Sequence, residues 1–370
     1  MDVNEDLIKK ITTKASIPIV FRKYINDWPL CRWDPQKWSS IFGNTKLPFR
    51  CLRKDFVSDE PCWERRCREK IMTFESFLET INTSREWMYF DYKYINKWIK
   101  SDSELWKEIS WKQFGYPDKG APDTTLWIGS KGCHTPAHQD TYGYNIVAQV
   151  YGRKRWILFP PETGGLKPTR VPYEESSVYS ELNFYCPVDL DRFTGLTGAR
   201  VVELSEGDAL LVPRGWWHYV QNLDPLNISL NIWLPHDDIS DTPLAVLFLQ
   251  LDTVVKSYLD KKRKSRRMKR QKTCEDNTQE TDVEEFDLNS LLNKLSYLEV
   301  VPAVSSSDLI ELIRSNIKEF VVKEKTPDED ETEGATSSLC LTKAVIDAFS
   351  QSNVVDMVKQ NLFAKLGYNS

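Results

Sequence analysis

Between Thr124 and Leu234 the chain breaks into seven short strand-like runs separated by glycine, proline and aspartate, and this spacing constrains the fold most. The runs are Thr124 to Ile128, Tyr144 to Tyr151, Lys154 to Phe159, Arg200 to Leu204, Ala209 to Val212, His218 to Asn222 and Ile228 to Leu234. Tyr151-Gly152-Arg153 and Ser205-Glu206-Gly207-Asp208 read as tight hairpin turns between neighbouring runs. So many short strands at close spacing predict a mainly β fold of barrel or jelly-roll type.

The flanks have a different texture. Residues 1–120 read as mixed helix and loop packed on the core, with a few short strands. Thr73 is placed to cap a helix to Ile81, and Glu86 to Tyr92 is strand-like. After Pro235 the signal is helical: Leu244, Leu247, Phe248, Leu251 and Val255 share one face behind Thr242-Pro243. Residues 256–287 form a charged insert, with nine basic residues between Lys261 and Lys272 followed by an acidic stretch, and opposed charge blocks of this kind do not bury a core. Residues 288–370 read as a helical region, with helices over Leu288 to Leu298, Asp308 to Val321 and Leu341 to Leu366. The expected divisions are therefore 1–120, a β core over 121–236, the insert, and the helical tail.

Composition narrows the function. A 370-residue chain of net charge −5 gives no general reason to bind nucleic acid, although the basic run could serve RNA or nuclear import. No apolar run reaches the ~18 residues of a membrane span, and the acidic start lacks a secretory core, so a cytoplasmic protein with a possible nuclear pool is expected. Eight scattered cysteines without a C-x-x-C point to reduced thiols rather than a zinc ribbon. All 13 tryptophans lie between Trp28 and Trp233, and the four histidines are His134, His138, His218 and His236, so imidazole chemistry is confined to the β region.

The sharpest local pattern is Thr135-Pro136-Ala137-His138-Gln139-Asp140. On an extended strand His138 and Asp140 share a face and can present an imidazole and a carboxylate to one ion. His218, at the start of a later strand, is the candidate third ligand. Two histidines and one carboxylate with open positions suit non-haem Fe(II), with zinc as the second choice. His134 and His236 read as structural or surface residues. Lys154 shares a strand face with Trp156 and Leu158, which calls for a bound counter-anion unless it is simply the solvated end of a turn. Thr135, Asn145 and Asn231 could add hydrogen bonds to the same anion.

Taken together, His138-Gln139-Asp140, Asn145, Gly152 to Pro161, Glu206 to Pro213, Gly215 to His218 and Ser229 to Trp233 resemble a JmjC domain of the hydroxylase type, in the family's order and spanning about residues 88–255. The resemblance implies a double-stranded β-helix, or cupin-like jelly roll, that holds Fe(II) by His138, Asp140 and His218. It implies 2-oxoglutarate and O2 as cosubstrates, with Lys154 and Thr135 on the distal carboxylate, and Asn145, Asn231 and Tyr89 nearby. The Asp140 to Ala148 segment is one residue longer than in the family's asparaginyl hydroxylases, which leaves the register of Asn145 open.

The implied activity is hydroxylation of a protein side chain. N-methyl-lysine demethylation and RNA hydroxylation use the same iron chemistry. A non-enzymatic alternative is docking of a small heat-shock protein in the stress response. A homodimer through the C-terminal helices is a further expectation, and the loops of Leu166 to Thr197 and before Thr124 are expected to set specificity.

Overall fold

The computed structural model describes residues 5–140, 143–169, 178–235 and 295–321. Its strands in chain order are β1 (Ile19–Phe21), β2 (Leu47–Arg53), β3 (Arg68–Met72), β4 (Glu86–Tyr94), β5 (Ser110–Trp111), β6 (Tyr116–Gly120), β7 (Thr125–Gly129), β8 (His134–Gln139) and β9 (Tyr144–Tyr151). They continue as β10 (Lys154–Phe159), β11 (Pro168–Thr169), β12 (Val178–Ser180), β13 (Arg200–Leu204), β14 (Ala209–Val212), β15 (Trp217–Asn222), β16 (Asn227–Leu234) and β17 (Leu298–Val300).

Two antiparallel sheets face each other. One has nine strands in the order β17-β1-β14-β9-β16-β7-β4-β2-β3, and the other has six in the order β11-β12-β8-β15-β10-β13. From β7 to β10 and again from β13 to β16, successive strands alternate between the sheets, which is the winding of a double-stranded β-helix. Val147, Leu210 and Val212 from the larger sheet meet Trp156, Leu158, Val202 and Val220 from the smaller one, and this apolar layer closes one end of the sandwich.

This winding corrects the hairpin expectation. The turns at Gly152 and Gly207 are tight, but each joins strands of different sheets: β9 pairs with β14 and β16, whereas β10 pairs with β13 and β15. A chain leaving one sheet and entering the other at once needs backbone that L side chains rarely adopt. Gly152 has φ +67, and a Cβ there would lie 2.3 Å from the Leu226 carbonyl oxygen.

The N-terminal region holds more strand than its sequence suggested. β2, β3 and β4 extend the larger sheet beyond β7, and β1 adds to its other side. The helix expected after Thr73 spans Phe74–Thr80, with Thr73 Oγ1 accepting from the Ser76 N–H at 3.2 Å. Phe74 and Phe77 pack with Phe42, Phe49 and Phe90 on the outer face of the larger sheet.

The tail returns to both sheets. Leu298 was expected to end a helix, yet Leu298–Val300 pairs antiparallel with β1, and in this extended form Leu298 and Val301 are buried in two different apolar clusters. The next helix, Ser306–Phe320, lies close to the Asp308 to Val321 expectation. It buries Leu309, Ile313 and Phe320 on the outer face of the smaller sheet, and Asn316 bonds Gln221 there. The expected helices over 244–255 and 341–366, the insert at 256–287 and His236 lie outside the described residues. Among the described residues no helix is long and apolar enough to cross a membrane.

Replacing Gly152 by alanine is expected to destabilise the chain by about 1–3 kcal/mol in denaturant unfolding; an unchanged midpoint would contradict the cross-sheet turn.

Candidate metal centre

Strand β8 lies against β15 with His138 directly opposite His218. The register shifts between His218 and Val220, so Pro136 and Ala137 together oppose the single residue Tyr219. This bulge explains two things. It accommodates a proline, which lacks an N–H for the ladder, in a strand paired on both sides. It also breaks the alternation of faces, so that Thr135 and His138, three residues apart, both line the same cavity.

That cavity, of about 300 Å³, opens between the two sheets. On its wall His138, Asp140 and His218 offer three ligand atoms within 4.8 Å of one another. His138 Nε2 lies 3.5 Å from Asp140 Oδ1, and His218 Nε2 lies 3.8 Å from Asp140 Oδ2. Each imidazole turns its other nitrogen to backbone: His138 Nδ1 to the Pro136 carbonyl at 2.9 Å, and His218 Nδ1 to the Trp216 carbonyl at 3.0 Å. An Nδ1–H donated to a carbonyl leaves Nε2 as a lone-pair donor aimed at the centre. Tyr179 stacks on His138 and Trp156 on His218, fixing both rings.

The protonation states suit metal binding. Burial, followed by the neighbouring His138, pushes His218 down to about 4, so it is neutral at physiological pH. Burial alone would raise the Asp140 carboxyl, but His218, His138 and the Trp233 N–H outweigh it and hold Asp140 below the usual carboxylate range.

Asp140 is also oriented from behind. Its Oδ2 accepts from Trp233 Nε1 at 2.9 Å and from Asn145 Nδ2 at 3.4 Å. Asn145 Oδ1 accepts from Asn231 Nδ2 at 2.8 Å, and Asn231 Oδ1 accepts from Trp127 Nε1 at 2.7 Å. Asn145 and Asn231 therefore line the cavity, with side chains engaged in a relay that ends on the carboxylate. Sequence reasoning missed Trp233, Tyr179 and Ser229. Trp233 and Ser229 were findable, since each lies two residues from Asn231 on the same strand face.

Deeper in the cavity Lys154 is 2% exposed. Its Nζ donates to Ser229 Oγ at 2.6 Å and lies 5.8 Å and 5.9 Å from the ring centres of Tyr89 and Trp127. No carboxylate pairs with it among the described residues, and burial pushes it down to about 8. The Tyr89 hydroxyl lies 3.5 Å from Thr135 Oγ1. The turn-end reading of Lys154 is thus set aside: the lysine is a buried cation facing a cavity. His134 lies elsewhere, stacked on Tyr185 with Nδ1 on the Gly132 carbonyl, in the structural role expected for it.

The cupin-like domain family matches residues 6–240. The chain belongs to the cupin-like, JmjC-type family. Within this family it is 40% identical to HSPB1-associated protein 1 of Bos taurus over 250 residues, 63% of this chain and 51% of that protein. Over 242 residues it is 40% identical to the Homo sapiens protein of the same name, 61% of this chain and 49% of that one. Lysine-specific demethylase JMJ30 of Arabidopsis thaliana is 27% identical over 227 residues, 58% of this chain and 49% of that one. The chain spans about half the length of the curated relatives it matches.

Family members typically use Fe(II) and 2-oxoglutarate. The residues here fit both: two imidazoles and a carboxylate make the facial donor set that Fe(II) takes, and Lys154, which no carboxylate among the described residues pairs with, calls for an anion in the cavity.

An unpaired buried cation costs stability until its anion arrives. Lys154 has a folded-state value of about 8 below its ordinary 10.5, so the cost is full below pH 8 and fades as the pH rises through 10.5. Lys154→Met is therefore expected to stabilise the free protein at pH 7 by roughly 1–3 kcal/mol. The gain should shrink at alkaline pH; a destabilised variant would contradict this account.

Proposed function

We propose that this chain is an Fe(II)- and 2-oxoglutarate-dependent oxygenase that hydroxylates a protein side chain. The observation that carries the reading is the coexistence, in one cavity, of the His138, Asp140 and His218 donor set and a buried lysine without a carboxylate partner. Neither is explained by packing alone, because a scaffold gains nothing from an unpaired buried cation.

His138, Asp140 and His218 would hold Fe(II), and Lys154 would pair with the distal carboxylate of 2-oxoglutarate, assisted by the hydroxyls of Thr135 and Tyr89. With O2, the bound iron and cosubstrate supply an oxidant strong enough to hydroxylate an unactivated C–H bond. The protein's part is orientation and exclusion of water. Trp233 and Asn145 keep Asp140 aimed, the carbonyls of Pro136 and Trp216 fix the imidazole tautomers, and the rings of Tyr179 and Trp156 wall the centre.

The relatives' names supply the alternatives. Those named HSPB1-associated protein 1 support a small heat-shock protein as partner or substrate, and those named lysine-specific demethylases support N-methyl-lysine as a second substrate class.

His138→Ala and Asp140→Ala are each expected to lower Fe(II)-dependent succinate formation by at least about 1000-fold, a scale set by loss of a group that acts only in the assembled site. In extract incubated with the wild-type protein, Fe(II) and 2-oxoglutarate, mass spectrometry should find a protein peptide heavier by one oxygen. Loss of a methyl group instead would shift the reading to demethylation. Wild-type-like succinate formation by either variant would overturn the assignment.

A further inference from the structure

The turn whose Glu64 lines the cavity is flanked by two cysteines that the oxygenase reading does not use. Cys62 and Cys67 flank the single tight turn Glu64–Arg66, and their sulfurs lie 3.7 Å apart, within hydrogen-bonding reach. Both thiols also reach the Trp63 carbonyl, at 3.9 Å and 3.8 Å, so they converge on one point. Cys62 is buried and Cys67 half-buried, so the pair approaches solvent through Cys67. Cys31, Cys51, Cys133 and Cys186 are all buried.

We propose that Cys62 and Cys67 form a redox-active dithiol, a covalent modification site on the cavity rim that hydrogen peroxide closes to an intramolecular disulfide. The geometry needs little rearrangement. The backbone already holds the residues in one turn through the bond from the Cys67 N–H to the Glu64 carbonyl, so bringing the sulfurs together closes only a short, preformed loop. Either thiol can donate in the hydrogen bond between them, and that contact keeps the two sulfurs together for the exchange.

In the first step one sulfur of the pair gives up its proton and attacks one peroxide oxygen. The O–O bond breaks, leaving a sulfenic acid on that cysteine and releasing water. The other sulfur then attacks the oxidised one, the S–O bond breaks, and a second water leaves with the remaining thiol proton. Two thiols and one peroxide thus become one disulfide and two waters, with both sulfurs oxidised and both peroxide oxygens reduced.

The site is coupled to the metal centre by direct packing. Glu64, inside the loop, lines the cavity. Trp63 is buried edge-on against Tyr179 at 5.8 Å, and Tyr179 stacks on His138 at 5.4 Å. A covalent link across residues 62–67 fixes the shelf on which that stack rests.

The test needs no turnover and so is separate from the oxygenase reading. Full-length reduced protein is treated with hydrogen peroxide, alkylated in denaturant and digested with trypsin. The expected product is peptide 55–65 joined to peptide 67–68, lighter by about 2 Da than the two thiol peptides together and separated again by a thiol reductant. Cys62→Ser and Cys67→Ser should each abolish the link, and at least one of them should leave on its remaining cysteine a sulfenic acid that dimedone traps. Full alkylation of both cysteines after peroxide, earlier oxidation of Cys31, Cys51, Cys133 and Cys186, or no trapped sulfenic acid in either variant would each overturn the proposal.

Discussion

The register of β8 against β15 is the constraint on which the site depends. His138 and His218 face each other across that ladder, and Asp140 follows one residue beyond the end of β8. A slip of one residue would turn one imidazole out of the cavity and break the donor set, because side chains alternate faces along a strand. Two features pin the register. Lys154 to Phe159 pairs along the full length of β15 on its other side, and the Pro136–Ala137 bulge allows only one alignment in which both His138 and Thr135 face inward.

From that register the electrostatics follow. Burial between the sheets keeps His218 neutral, while the same enclosure would destabilise the Asp140 carboxylate were it not for His218, His138 and the Trp233 N–H facing it. Asn145, Asn231 and Trp233 come from β9 and β16, in the opposite sheet. The candidate metal centre is therefore built by one sheet and braced by the other, so sandwich packing and ligand orientation are one problem. Lys154 is the exception, a buried cation that no carboxylate among the described residues pairs with.

Much of this was readable before the structure. Tyr144–Tyr151, Lys154–Phe159, Arg200–Leu204 and Ala209–Val212 match their expected bounds, because short apolar runs between glycine, proline and aspartate leave little freedom of length. Alternation within a strand put His138 with Asp140 and Lys154 with Trp156. What periodicity could not supply was pairing. The turns at Gly152 and Gly207 look local and yet switch sheets, β17 joins β1 across most of the chain, and Thr135 shares the face of His138 only because of a bulge. Tyr179 was missed for the same reason, since its short strand is placed by pairing with β8 and carries no periodic signal of its own.

The most direct test of the account is an anaerobic titration of the Fe(II)-loaded protein with 2-oxoglutarate, followed by visible absorption. Chelation of iron by the 2-oxo acid produces a metal-to-ligand charge-transfer band, so the band reports both partners in one cavity. The account predicts a saturable band in the wild-type protein, no band in Asp140→Ala, and a band that needs far higher 2-oxoglutarate in Lys154→Met. Absence of the band in the wild-type protein, or a band indifferent to Lys154, would contradict it.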